Sequence, residues 1–162
     1  MVRECDVALE LPGPKLARVY RSAAIVVGVD GSATSLRAGA YAAGLARRQR
    51  ARLVAVYVGS VSPMCVTEPS AAAVLRIAHS EAFERTAADL RHEAEEKARE
   101  HGISITFVAT RGDSLAELHR IARENCADAI VVGASTKVGH RLAGSLAVRL
   151  VRAGKWPVTV VP

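Results

Sequence analysis

The chain of 162 residues is poor in aromatic side chains and contains no long apolar run. Aromatic residues make up 4% of the sequence, although half of all residues are hydrophobic. No apolar stretch approaches the roughly 18 residues that a membrane-spanning helix needs. Glu4, Asp6 and Glu10 interrupt the first residues, which therefore do not resemble a secretion signal. We expect one soluble, cytoplasmic protein with no membrane partner.

Cysteine and histidine patterns that bind metals are missing as well. Cys5, Cys65 and Cys126 are widely spaced and form no C-x-x-C pair, so we expect reduced, packed thiols. The histidines form neither an H-x-x-x-H nor an H-E-x-x-H motif. The sequence therefore predicts no metal site.

The net charge is +6, and the basic surplus lies in two stretches. Residues 34–52 contain five arginines and no carboxylate, and residues 134–162 contain five lysines and arginines and no carboxylate. We interpret the first stretch as a solvated helix face. For the second stretch an anionic ligand is an open alternative, because a concentrated positive field attracts anions. Few aromatics and no recognition motif argue against nucleic acid.

Short β-branched runs alternate with helical patterns from residue 23 onward, which is typical of βαβ units. Several of these runs are continuously apolar, as strands buried on both faces require. We predict an α/β fold with an open five-stranded parallel sheet and helices on both faces. The domain spans residues 23–162 and follows an extension over residues 1–22. The predicted strands are residues 23–29, 53–58, 103–109, 129–132 and 158–161, and the predicted helices are residues 35–50, 71–100, 114–125 and 142–153.

Two loops are candidates for a ligand site, because an open parallel sheet binds ligands beyond its carboxyl ends, where the winding direction reverses. One follows the first strand and begins with Asp30 and Gly31, and the other spans residues 133–145. Glycines let the backbone approach an anion, and a helix N-terminus adds unpaired N–H groups and partial positive charge. Asp30 is suited to accept a hydrogen bond from a ribose or an adenine amino group. The alternative is a plain glycine-rich turn with Ser145 as a helix cap.

Five stretches of the chain form a distinctive set: residues 26–31, the GDSL stretch from Gly112, the VVGAS run at residues 131–135, the pair Gly144 and Ser145, and the ending at residues 156–161. Together they resemble the universal stress protein family, and the resemblance extends over about residues 22–162. The resemblance implies a Rossmann-like sheet, similar to the adenine nucleotide alpha hydrolases, in the order 3-2-1-4-5. It also implies a homodimer formed through the last strand.

The same resemblance implies a non-catalytic stress-response protein that binds ATP or another adenine nucleotide at the two loops. By this resemblance Asp30 contacts the nucleoside and Val58 lies against the base. The residues assigned to the pocket are Val29, Asp30, Gly31, Val58, Gly133, Ala134, Ser135, Gly139, Gly144, Ser145 and Leu146. Thr136 stands where the family's ATP-binding motif has its second glycine, and the segment that follows is shorter than in that motif. The alternative hypothesis is a family member without nucleotide that acts through dimer and partner-protein contacts.

Two short motifs resemble catalytic ones. The spacing Gly139-x4-Gly144-Ser145 imitates a phosphate loop but lacks the lysine that should follow the second glycine. The GDSL stretch offers Ser114 as a nucleophile, but no D-x-x-H follows to supply a base and its orienting acid. Ser114 and Glu117 instead predict a capping box at a helix start. We expect no enzyme, and a weak hydrolase is the third hypothesis.

Overall fold

The computed structural model describes residues 23–60, 69–135 and 146–162. Strands and helices alternate along the chain, as predicted. The elements are β1 (Ala24–Val29), α1 (Ala33–Gln49), β2 (Arg52–Gly59), α2 (Pro69–His101), β3 (Ile105–Arg111), α3 (Ser114–Glu124), β4 (Ala129–Gly133), α4 (Leu146–Ala153) and β5 (Val158–Val161). The predicted extension over residues 1–22 and the predicted start of the last helix at residues 142–145 lie outside the described residues.

The five strands form one parallel sheet in the order β3-β2-β1-β4-β5. This arrangement confirms the predicted fold class and strand order. β1 lies at the centre of the sheet, and the chain builds outward from it first through β2 and β3 and then through β4 and β5. The winding direction therefore reverses between β1 and β4, which is the position where open α/β sheets commonly form a ligand-binding crevice at the carboxyl edge.

Each face of the sheet carries its own hydrophobic core, because successive strand residues point to opposite faces. Val26 and Val54 pack in a cluster with residues of α3 and α4. Val27 and Leu53 pack on the other face, together with alanines of α1. The strands are continuously apolar in sequence because both faces are covered.

Helix α1 begins two residues earlier than predicted because Ser32, and not a later residue, is its N-cap. The Ser32 Oγ accepts a hydrogen bond of 3.2 Å from the N–H of Ser35, which satisfies one of the helix's unpaired amides. The helix ends at Arg50, whose φ of 53° is left-handed and whose N–H donates to the carbonyls of Ala46 and Arg47. An arginine thus occupies a position where glycine is the usual residue.

The predicted capping box at the start of α3 is wrong. Asp113 is the N-cap, and its Oδ2 accepts a hydrogen bond of 3.0 Å from the N–H of Ala116. Ser114 is the first helical residue. The Glu117 carboxylate accepts from the Thr110 hydroxyl at 2.9 Å instead of turning back to the helix start. Asp and Ser are nearly equal as N-caps, so the sequence alone favoured the wrong one of two neighbours.

Helix α2 is longer than the strands of the sheet. Its 33 residues span about 50 Å at 1.5 Å per residue, whereas the eight residues of β2 span about 26 Å. Phe83 lies directly over Gly59, the last residue of β2, so the part of α2 that precedes Phe83 extends past the carboxyl edge. Val74 and Ile77 in that part are 67% and 60% exposed.

Cys126 corrects the expectation of three free thiols. This residue follows α3 with a φ of 49°, and it is disulfide-bonded. Its partner lies outside the described part of the chain.

Candidate functional site

The ends of β1 and β4 meet at the same level of the carboxyl edge. Val27 of β1 is in register with Val131 of β4, so the residues that follow the two strands, Asp30 and Ala134, leave the sheet side by side. On the other side of β1, Val29 is in register with Tyr57. The sheet therefore brings together the first residues of the two predicted loops.

Asp30 is held in a tight, hydrogen-bonded loop. Its Oδ1 accepts a hydrogen bond of 3.0 Å from the N–H of Ser32, and its own N–H donates to the Ser35 hydroxyl at 3.2 Å. The Ser35 hydroxyl in turn donates to the carbonyl of Ser32 at 3.0 Å. Gly31 adopts a φ of 79°, which favours glycine. These contacts fix the position of the exposed Asp30 carboxylate relative to the start of α1.

Gly133 packs directly against the first turn of α1. A Cβ placed on Gly133 would lie 2.6 Å from the carbonyl carbon of Thr34 and 2.8 Å from the N atom of Ser35. Both are backbone atoms, and both side chains are buried. The sequence predicted this glycine for close approach to an anion, whereas the structure gives it a second reason, which is close approach of β4 to α1. This contact also keeps the Asp30 loop beside the end of β4.

The remaining assigned residues divide between the two faces of the sheet. Val29 is half-buried on the face covered by α1, whereas Val58 and Leu146 pack against the core on the face of α3 and α4. Gly133, Ala134 and Ser135 continue from β4 beside the Asp30 loop, and Ser135 is exposed. The assigned residues Gly139, Gly144 and Ser145 lie outside the described residues.

Helices α3 and α4 are joined by an ion pair that the sequence did not reveal. The Arg149 Nη2 donates to both carboxylate oxygens of Asp113, at 2.9 and 3.0 Å. The pKa of Asp113 is lowered first by the hydrogen bond from the Ala116 amide and then by Arg149. Because Arg149 lies in the first turn of α4, this pair ties the start of α4 to the start of α3. The two residues are 36 apart in sequence, so no local pattern could have predicted their contact.

A second contact missed from the sequence attaches α2 to the carboxyl edge. The rings of Tyr57 and Phe83 stack with their centroids 5.3 Å apart, and the Arg111 guanidinium lies 4.3 Å from the Phe83 centroid. The Arg111 Nη2 also donates to the Ser80 hydroxyl at 3.0 Å. Gly59 makes room for this stack, since a Cβ there would lie 2.4 Å from the Phe83 ring. In the sequence, the glycine at the end of an apolar strand was the feature that could have indicated this contact.

An apolar cavity of about 210 Å³ lies between α1, α2 and the sheet. It adjoins the Asp30 loop through Val29 and Ser35, and its lining otherwise consists mainly of aliphatic side chains. Glu93, Lys97 and His101 of α2 also line it. Among the described residues no cluster of histidine, cysteine or carboxylate side chains has the arrangement of a metal site. None of the described helices is long and apolar enough to span a bilayer.

Comparison with known proteins gives one consistent result. The model of the universal stress protein family matches residues 23–162. Universal stress protein MJ0531 of Methanocaldococcus jannaschii is 32% identical over 139 residues, which cover 85% of this chain and 80% of that protein. A crystal structure of a universal stress protein family member from Burkholderia pseudomallei is 32% identical, with a TM-score of 0.65, over 86% of this chain and 96% of that one.

A universal stress protein solved in complex with cAMP is similar to a comparable degree. It is 26% identical with a TM-score of 0.65, and the match covers 86% of this chain and 96% of that chain. The match of the family model to nearly the whole described fold agrees with the strand order and with the motifs in the sequence. The chain belongs to the universal stress protein family.

Proposed function

We propose that this chain is a non-catalytic stress-response protein that binds an adenine nucleotide in the crevice between β1 and β4. The observation that carries the proposal is the exposed Asp30 carboxylate, which a hydrogen-bonded loop holds at the point where the sheet reverses its winding. The relative in complex with cAMP supports an adenine nucleotide as the ligand class.

The chemistry of the crevice fits the sugar and base of such a ligand. A carboxylate accepts hydrogen bonds from a ribose hydroxyl or from the amino group of adenine. The phosphates would lie toward the segment that follows Ser135 and leads to α4, where a helix N-terminus favours anions. ATP, ADP, AMP and cAMP all contain the parts that this arrangement recognises.

Titration calorimetry with these four nucleotides tests the proposal. Asp30→Ala is expected to weaken binding about tenfold or more, because a hydrogen bond to a charged group contributes about 1.5–3 kcal/mol. Asp30→Asn keeps an acceptor for the Ser32 amide and is expected to lose less nucleotide affinity. Asp128→Ala, which removes an exposed carboxylate at the opposite end of the sheet, is the matched control and should bind as the parent does.

Absence of heat and of saturable binding with all four nucleotides at millimolar concentration would refute the nucleotide part of the proposal. The alternative of a family member that works only through dimer and partner-protein contacts would then stand. Equal affinity of Asp30→Ala and Asp128→Ala would instead place the nucleotide elsewhere on the chain.

The absence of catalysis is part of the proposal. Ser114 is the first residue of α3, and its neighbour Asp113 is engaged by Arg149 and by the helix amide. His119, on the same helix, stacks against Trp156 with ring centroids 5.2 Å apart. Neither group is arranged as the partner of a serine nucleophile. Turnover of ATP or of a p-nitrophenyl ester that disappears in Ser114→Ala would contradict this part.

We also propose that the protein is a cytoplasmic homodimer joined through β5. Within the described part of the chain this strand pairs only with β4, and Val160 on it is 41% exposed. An apolar edge strand is an aggregation risk unless it is paired, and a second copy covers it symmetrically. Sedimentation should give a dimer at micromolar concentration. Val160→Lys should give a monomer, whereas Val151→Lys, on an exposed site of α4, should leave the dimer intact.

A further inference from the structure

The amino end of the sheet collects basic side chains from the whole chain. Each helix runs antiparallel to the strands and ends where the next strand begins, so all four helix C-termini lie at this end. We call it the basic end and define it by the exposed basic residues at or just after these C-termini, which are Arg47, Arg48, Arg50, Arg99, Arg123, Arg152 and Lys155.

Few carboxylates balance this end. Glu100 is bonded to Lys97 at 3.2 Å, and Glu124 is bonded at 2.9 Å to Arg120, which also bonds Glu117 at 2.7 Å. Asp128 is the remaining exposed carboxylate in the described segments that join helix to strand there. None of the seven residues of the basic end takes part in an ion pair with another described residue.

The helix dipoles do not account for this surplus. A cation in the last turn stabilises a helix C-terminus, and one such residue is enough for α3, where Arg123 fills that role. Helix α1 ends with Arg47, Arg48 and Arg50 within four residues. Charges of one sign crowded at one end repel one another and are offset when an anionic partner binds.

Two features determine which anion fits. Some terminal carbonyls of the helices, such as those of Ala98 and Ala122, already accept N–H groups of the residues that follow. A polypeptide supplies carboxylates for the arginines and N–H donors for the other terminal carbonyls. Arginine also matches the planar carboxylate with a two-pronged hydrogen bond.

The surface of the basic end also lacks the groups that other anionic partners use. Among the described residues with large exposed apolar side chains, only Val151 lies in the last turn of a helix. Trp156 follows α4 at this end, but its ring packs against the core and its Nε1 donates to the Ala127 carbonyl at 3.1 Å, so it is not presented to stack on bases or to enter a bilayer. We propose that the basic end docks an acidic, extended segment of a partner protein, independently of the nucleotide crevice at the other end of the strands.

Fluorescence anisotropy with a labelled 20-residue peptide of alternating glutamate and glycine, which reaches about 66 Å when extended and is therefore more than long enough to cross the end, tests the proposal. The expected result is saturable binding that weakens steeply with added salt, because the contacts are exposed charges. Arg47→Gln with Arg123→Gln, which removes one arginine from each helix layer, should lower the affinity about fivefold. Arg76→Gln with Arg85→Gln removes the same charge from exposed sites on α2 and should change it little.

Competition experiments distinguish an acidic polypeptide from other anionic partners. A 20-base-pair DNA duplex or vesicles containing phosphatidylglycerol should displace the peptide only weakly at physiological salt. Tighter binding of either one than of the peptide would overturn the assignment of an acidic polypeptide. Equal losses in the two double variants would overturn the assignment of the basic end, and absence of peptide binding at low salt would overturn both. Nucleotide titration of the same variants should give the parent affinity, which keeps this test distinct from that of the crevice.

Discussion

Replacing Gly133 with alanine is the most direct test of how the crevice is built. The added Cβ would lie 2.6 Å from the carbonyl carbon of Thr34, 2.8 Å from its oxygen and 2.8 Å from the N atom of Ser35. Ordinary contacts of a Cβ begin near 3.4 Å, so the first turn of α1 or the end of β4 must shift by several tenths of an ångström. Because the obstructing atoms are backbone, no side-chain rotation relieves the overlap.

Overpacking of this kind typically costs about 1–3 kcal/mol. For a domain of this size each kcal/mol lowers the melting temperature by about 2–4 °C. We therefore expect Gly133→Ala to melt about 6 °C below the parent protein. The shift would also displace the Ser35 hydroxyl that accepts the Asp30 amide, so nucleotide affinity should fall along with stability.

Gly39→Ala is the matched control for this experiment. Gly39 lies within α1, and a Cβ there would meet nothing within 4 Å. Alanine in a helix interior is more favourable than glycine by about 0.5–1 kcal/mol, so this variant should melt slightly above the parent. Thermal unfolding followed by circular dichroism measures both variants. A melting temperature of Gly133→Ala equal to or above that of the parent would refute the close packing of β4 against α1.

Two further predictions concern ionisable groups on α3. Asp113→Ala should lower the free energy of unfolding by about 1 kcal/mol because the N-cap is removed. Asp113→Asn keeps a cap acceptor and should lower this free energy less. Urea titrations measure both changes. The lowered pKa of Asp113, caused by the Ala116 amide and then by Arg149, means that its stabilising effect is present above pH 3.8 and is lost as the pH falls through the folded-state pKa. Burial, with a smaller effect of a nearby lysine, lowers the pKa of His119 from 6.5, so the free energy of unfolding should decrease as the pH falls below about 6.5. His119→Gln should flatten this dependence, and Trp156, the single tryptophan, reports unfolding by fluorescence.

The fold was predictable because the sequence repeats one physical pattern. Strands buried on both faces must be continuously apolar, and amphipathic or alanine-rich segments between them must cover the faces. β5 and its bounds agree with the prediction, and β3 begins two residues later than predicted, at Ile105. Helix ends were harder to predict, since Asp113 and Ser114 are adjacent residues with similar capping ability. Local chemistry restricted the cap to two positions, and the backbone geometry decided between them.

Of the candidate site, the sequence predicted that two loop starts lie side by side, and whether they bind a ligand stays a prediction. The rule that ligands bind where the sheet reverses its winding identified the Asp30 loop and the end of β4, and the structure brings these two together. The packing role of Gly133 was not predictable, because it depends on contact with Thr34, about one hundred residues earlier in the chain. The ion pair of Asp113 with Arg149 and the stack of Phe83 with Arg111 are hidden from the sequence for the same reason.

The basic end shows that the positions of basic residues in the fold differ from their grouping along the sequence. By sequence segment, the surplus of positive charge falls into two separate stretches, and Arg99 and Arg123 belong to neither. In a parallel sheet with one helix after each strand, every helix C-terminus lies at the same end of the molecule, so basic residues at those positions converge even though they are far apart in the chain. The carboxyl edge gathers a carboxylate and glycines by the same geometry. The two ends therefore differ in charge, and a single alternating fold gives the chain two separate surfaces on which the two proposals can be tested.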